Sequence, residues 1–241
     1  MGRPMTQPSL RTDPARPREP ILNAPWPVGL LIAAMIGAHA WRVMTHTGME
    51  GLALTRSNLA AGRMAGLVTY LFVHASWAHV LTNSAFTLAF GVPVARLMGG
   101  RVRGASAFFS FFIVCGVLAA LGFAALSALL ATLGRVEQPW ALVGASGAAS
   151  GLMGATARLI EGHGRIGSPW GRSCLAMMLG WIAVNAVLGL SGLTPGAAGM
   201  PVAWEAHIWG FFAGLVLIRP FAVLAGSPGA GARTRLDSRP L

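Results

Sequence analysis

WAHVLTNSAFTLAFGVPVARL, residues 77–97, is the stretch on which the fold turns. It runs for about twenty residues, the length that crosses a hydrocarbon core, and its single formal charge, Arg96, stands near the far end. Ser76 just before it is a good N-cap, so a helix is expected to start at Trp77. Yet this apolar helix opens on His79 and Asn83, which are four apart and therefore share a face. Polar side chains are expensive inside a bilayer, and their presence in such a helix points to function.

The rest of the chain extends the pattern. Of 241 residues, 54% are hydrophobic and 10% charged, whereas a soluble domain is about 25% charged. Further apolar runs predict spans at about 27–44, 105–133, 141–160, 173–190 and 202–224. With 77–97 these make six, in one compact all-α bundle over residues 27–225. The third run is unusually long and should tilt. Residues 1–26, rich in Pro and Arg, read as a disordered cytoplasmic leader, too long for the n-region of a cleavable signal. Residues 226–241 read as a polar cytoplasmic tail. The connector 45–75 is polar in its middle and apolar over 66–73, so it is expected to lie partly in the membrane interface.

The net charge of +11 comes from arginine alone, with no lysine. The arginines stand between apolar segments rather than on one amphipathic face, which argues against a nucleic-acid partner. They also orient the chain. Four of the 18 basic residues, Arg42, Arg56, Arg63 and Arg135, fall on one side of a six-span topology, and the remaining fourteen fall on the side that carries both termini. Both termini are therefore expected in the cytoplasm. The two cysteines, Cys115 and Cys174, fall in different apolar runs and are expected to be packing residues with no disulfide.

With that orientation the second, fourth and sixth spans all run inward from the outer face. His79, Ser146 and His207 each fall about three to five residues after their helix begins, hence at a similar shallow depth. Ser146 lies in Gly144-Ala-Ser146-Gly147, near a helix N-terminus, where free N–H groups and the dipole favour developing negative charge. Gly189-Leu-Ser191-Gly192 matches the same short pattern, but Ser191 falls at a helix C-terminus, where carbonyls would oppose an oxyanion. Ala203, Ala206, Gly210 and Gly214 form a small-residue face beside His207, and Gly147, Gly151 and Gly154 are its natural partner. His79 and Asn83 can donate to an oxyanion together with the Ser146 N–H. His74, at the loop–helix junction, is expected to support them.

A metal site made of His74, His79 and His207 is the competing chemistry. Only Glu205 accompanies them at that depth, and the sequence is read as needing no metal and no cofactor. His39, His46 and His163 are expected to be bystanders. Glu205 points to a different face from His207 and no other acid is at hand, so a Ser146–His207 dyad is the economical reading.

These residues resemble the rhomboid family of intramembrane serine proteases. The likeness rests on His74-Ala-Ser-Trp-Ala-His79-Val-Leu-Thr-Asn83, Gly144-Ala-Ser146-Gly147 and Ala206-His207-Ile-Trp-Gly210, in order, and covers roughly residues 27–225. It implies a six-helix rhomboid bundle with Ser146 as nucleophile, His207 as general base and then acid, and His79, Asn83 and Ser146 forming the oxyanion hole. It implies an acyl-enzyme and transmembrane-helix substrates, cut near their outer end. The first connector would be the family's partly embedded loop, and the loop after the fifth span a cap over the site. Where the family often has Trp-Arg in the first connector, this chain has Ala65-Gly66. Where a tyrosine commonly follows the nucleophile by four, it has Ser150, which leaves open what orients His207.

The function expected is a serine endopeptidase in a lipid bilayer, in the bacterial inner membrane with its site toward the periplasm. The alternative is an inactive rhomboid-like protein that binds membrane clients. A transporter would want polar residues at mid-depth or internal repeats, and the sequence presents neither. Substrate identity and oligomeric state are not legible.

Overall fold

The computed structural model describes residues 24–134, 140–191 and 203–230. Among them are eight α-helices: α1 (Trp26–Met44), α2 (Arg56–Ala60), α3 (Gly66–Thr69), α4 (Trp77–Met98), α5 (Val102–Thr132), α6 (Ser146–Glu161), α7 (Arg172–Ser191) and α8 (Trp204–Ala225). Two two-residue strands, β1 (Leu54–Thr55) and β2 (Ala141–Leu142), pair antiparallel, Leu54 opposite Leu142. Residues 1–23 of the expected leader, the loop at 135–139, residues 192–202 with the expected cap, and residues 231–241 of the tail lie outside the described residues.

Five helices, α1, α4, α5, α7 and α8, are long and apolar enough to cross a membrane. Their ends follow local chemistry. Pro27 sits in the first turn of α1, where its missing N–H costs no hydrogen bond. Ser76 caps α4 by accepting from the His79 N–H at 3.1 Å. Gly226, in the left-handed region, closes α8.

The fourth apolar run departs from expectation. Its helix begins at Ser146, not near residue 141, because Ala141 and Leu142 are drawn out to pair with β1 in the first connector. The 16 residues of α6 amount to about 24 Å. Gly147–Leu152 and Gly154–Leu159 are buried, so α6 is surrounded by protein rather than presented to lipid. That explains its modest hydropathy: a helix enclosed by other helices gains from small residues that allow contact, not from bulky apolar ones.

The α6–α8 seam is backbone against backbone. A Cβ on Gly210 would meet the Gly147 carbonyl, and one on Gly214 would meet the Gly151 carbonyl. α5 closes the other side, where Cys115 fills the space beside Gly151 and Ala119 the space beside Gly147. Both cysteines are buried and free, Cys174 packing with Ala157, Phe211 and Leu215. Large apolar side chains point away from the bundle, among them Leu81, Leu88, Leu179, Val187, Val216 and Val223.

The connector between α1 and α4 is tied down at several points. Arg42 Nη2 donates to the His74 carbonyl at 2.9 Å, and Thr69 Oγ1 to the Leu52 carbonyl at 2.7 Å. Thr55 caps α2 through Asn58 N–H at 3.0 Å. Gly66 lets the chain close on itself, since a Cβ there would lie 3.2 Å from Leu54 Cδ1.

Candidate active site

Ser146 is the first residue of α6, so its place is shallower than the three to five residues expected from the sequence. His79 is the third residue of α4 and His207 the fourth of α8. The glycine seam sets the last distance: with α6 and α8 in backbone contact, His207 Nε2 lies 2.8 Å from Ser146 Oγ. This is the separation at which an imidazole takes a hydroxyl proton. No side chain caps the start of α6, leaving its first N–H groups without intrahelical partners and able to meet negative charge.

Gly144 holds the loop before Ser146 in the left-handed region, φ +103°, with its N–H donated to the Tyr70 carbonyl at 2.9 Å. Tyr70 is itself pinned through its hydroxyl to the Gly116 carbonyl at 2.8 Å. Across from Gly144 stand His79 and Asn83. A Cβ at Gly144 would be 2.6 Å from His79 Nε2 and 3.3 Å from Asn83 Nδ2, so only glycine admits both groups beside the Ser146 loop. His79 Nδ1 accepts from the Ala75 N–H at 3.5 Å, which assigns the ring proton to Nε2 and makes that atom a donor. Asn83 is 3% exposed, and its Nδ2 has no hydrogen-bond partner among the described residues. A buried amide without a partner is costly, and here it stands at the rim of a cavity. Ser146, His207, His79, Asn83 and Gly144 all line that cavity, whose volume is about 230 Å³.

The sequence matches the family model described as Rhomboid domain over residues 61–223. The chain belongs to the rhomboid family. Among curated proteins no match was found. Membership, together with the apolar helices, makes this an integral multi-pass membrane protein of a family of intramembrane serine proteases that act on membrane-protein substrates, with inactive members among them.

This rhomboid chain fills the position of the missing tyrosine in an unexpected way. Ser150 turns its hydroxyl back to the Ser146 carbonyl at 2.8 Å and does not reach His207. The groups on the far side of His207 come instead from α7. Asn185 Oδ1 lies 2.6 Å from His207 Nδ1, Asn185 Nδ2 donates to the Trp181 carbonyl at 2.8 Å, and the Trp181 ring lies 6.0 Å from the imidazole at 36°. Asn185 stands outside the motifs that mark the other site residues in the sequence. The signal was present: an amide inside an apolar span is costly unless partnered, and Trp181 stands four residues before it on the same face.

His74 is fully buried behind His79, ring edge to ring face at 5.2 Å. Burial, and next the neighbouring His79, depress its pKa to about 3, so it is neutral at ordinary pH. His39, expected to be a bystander, is buried too and meets Trp77 edge-on at 4.7 Å, which backs the start of α4. His46 and His163 occupy turns with positive φ. Among the described residues no three His, Cys, Asp or Glu side chains are grouped to hold a metal ion. Ser191 is the last residue of α7, exposed, with its hydroxyl donated to the Leu188 carbonyl at 3.4 Å.

Proposed function

We propose that this rhomboid chain is an active intramembrane serine endopeptidase that cuts transmembrane helices near the outer membrane face. One observation carries the reading: a serine hydroxyl at a helix N-terminus, 2.8 Å from an imidazole nitrogen, at the wall of a cavity. An inactive client-binding relative has no need of that contact.

In this account α6 serves as the sixth span, its 16 residues shorter than the other five and enclosed by protein. The arginine asymmetry supports cytoplasmic termini. α4, α6 and α8 then run inward from one face, and their first turns open the cavity to water on the periplasmic side of a bacterial inner membrane.

Ser146 Oγ attacks the scissile carbonyl while His207 Nε2 takes its proton. The oxyanion receives hydrogen bonds from His79 Nε2–H, Asn83 Nδ2–H and the Ser146 N–H. Collapse of the tetrahedral intermediate breaks the peptide C–N bond, and His207 returns the proton to the departing amine. Water, deprotonated by the same imidazole, then releases the acyl group from Ser146. Neither a cofactor nor a metal takes part in these steps.

The test is cleavage of a membrane-anchored reporter in proteoliposomes by the wild type and by Ser146→Ala and His207→Ala proteins of matched helix content. The account expects both variants to be silent. Cleavage by either one ends the dyad assignment, and a silent but folded wild type favours client binding.

A further inference from the structure

The hydrogen bonds around His207 form a chain in which every donor and acceptor is fixed by its far end. It starts at the Trp181 carbonyl, which can only accept. The Asn185 amide nitrogen must therefore be the atom that faces it, at 2.8 Å. That leaves Asn185 Oδ1, which can only accept, facing His207 Nδ1 at 2.6 Å. Nδ1 must then carry the ring proton. Nε2 is left bare, and the 2.8 Å contact with Ser146 Oγ runs in the direction a general base needs, from hydroxyl to imidazole.

The placement of Asn185 is unusual for its helix. α7 turns most of its side chains outward: Leu179, Ile182, Val184 and Val187 are all exposed. Asn185 is 0% exposed. An amide buried in a membrane helix is costly unless both of its ends are satisfied, and these two bonds satisfy both.

We propose that Asn185 is a positioning residue for catalysis, holding His207 as the Nδ1–H tautomer and turning a Ser–His pair into a Ser146–His207–Asn185 relay in which the third member is a neutral amide. The proposal rests on the dyad reading above. Asn185 does its work without touching substrate. It presents a dipole to the imidazolium that forms during attack, and it sets the ring plane against Ser146. A neutral amide stabilises that cation less than a carboxylate does, so its loss costs less than the roughly 10⁴-fold seen when a serine protease's histidine is held in the wrong tautomer.

The bland alternative is that Asn185 only joins α7 to α8. The two are separated by Asn185→Leu, which keeps the branched side-chain skeleton without its polar atoms, and Asn185→Ala, each reconstituted as full-length protein and normalised to active sites by fluorophosphonate titration run to completion. A positioning role predicts kcat lower by about 10- to 100-fold with KM within about twofold. Wild-type kcat per active site in a folded variant, or a loss confined to KM, overturns it. Nitrogen-15 NMR of histidine-labelled wild type needs no variant to fold: protonated Nδ1 and bare Nε2 on His207 at neutral pH are expected, and an Nε2–H resonance assigned to His207, as distinct from the one expected of His79, overturns the proposal. Ser146→Ala run alongside keeps the two claims apart. If Ser146→Ala still cleaves, the dyad has failed; if it is silent while Asn185→Leu works at full rate, only the role of Asn185 has failed.

Discussion

The Nε2 of His79 occupies the space that a side chain on Gly144 would fill, since a Cβ there would sit 2.6 Å away. Glycine at this position is thus demanded twice, by the contact and by φ +103°. Gly144→Ala should push His79 and Asn83 out of line with the Ser146 N–H. The expected result is a fall in kcat of at least about 100-fold, the usual consequence of losing an oxyanion donor. Circular dichroism should show helix content unchanged, because Gly144 belongs to no helix. Normal turnover in Gly144→Ala would show that the oxyanion donors are elsewhere.

Asn83 allows function and stability to be separated. Its buried Nδ2 lacks a partner among the described residues, an arrangement that costs about 1–3 kcal/mol in a folded protein. Asn83→Ala should therefore lower kcat about 10²- to 10³-fold while leaving the thermal midpoint in detergent the same or raising it. A large loss of midpoint would instead mark Asn83 as a structural residue.

The seam between α6 and α8 has no room for a methyl group at Gly214, where a Cβ would fall on the Gly151 carbonyl. Gly214→Ala is expected to destabilise the protein by about 1–3 kcal/mol, seen as a midpoint several degrees lower, and to reduce cleavage by moving His207 away from Ser146. Gly37→Ala on α1 is the control. Nothing lies within 4 Å of its would-be Cβ, so the midpoint should hold or rise by the helix-propensity gain of up to about 1 kcal/mol.

His74 provides a pH prediction. Its pKa in the folded protein, about 3, is below the ordinary value near 6.5, mainly because of burial and next because of His79. The folded state therefore disfavours the charged form. The stability contributed by the neutral ring is fully present above about pH 6.5 and declines as pH falls from there toward 3. His74→Gln should lose less stability between pH 7 and pH 4 than the wild type, measured by thermal midpoints in detergent. Parallel curves for the two proteins would mean that His74 is not buried as described.

Much of this was legible because bilayers impose a strict grammar. The expected ends of the spans at 27–44, 77–97 and 202–224 lie within two residues of those of α1, α4 and α8, since length and hydropathy fix them. The small-residue stripes of Gly147, Gly151, Gly210 and Gly214 announced the seam, because only close approach rewards glycine inside a helix. Other features depended on contacts that no local pattern carries. Ala141 and Leu142 are apolar enough to pass for helix, and only the distant partner β1 makes them a strand. Asn185 was readable in principle as an amide in a span, yet its relation to His207 required knowing which face of α7 turns inward. α7 carries almost no amphipathic pattern to say so. The first connector hid its ties, such as Arg42 to the His74 carbonyl, because a donor and a backbone oxygen far apart in sequence leave no shared motif.

The central claim, that Ser146 is a nucleophile activated by His207, is tested most directly by intact-protein and peptide mass spectrometry after exposure to a fluorophosphonate. The account predicts one covalent adduct, mapped to Ser146, formed quickly in the wild type and at least about 100-fold more slowly in His207→Ala. An adduct on Ser191 or any other serine, or equal labelling rates in the wild type and His207→Ala, would contradict it.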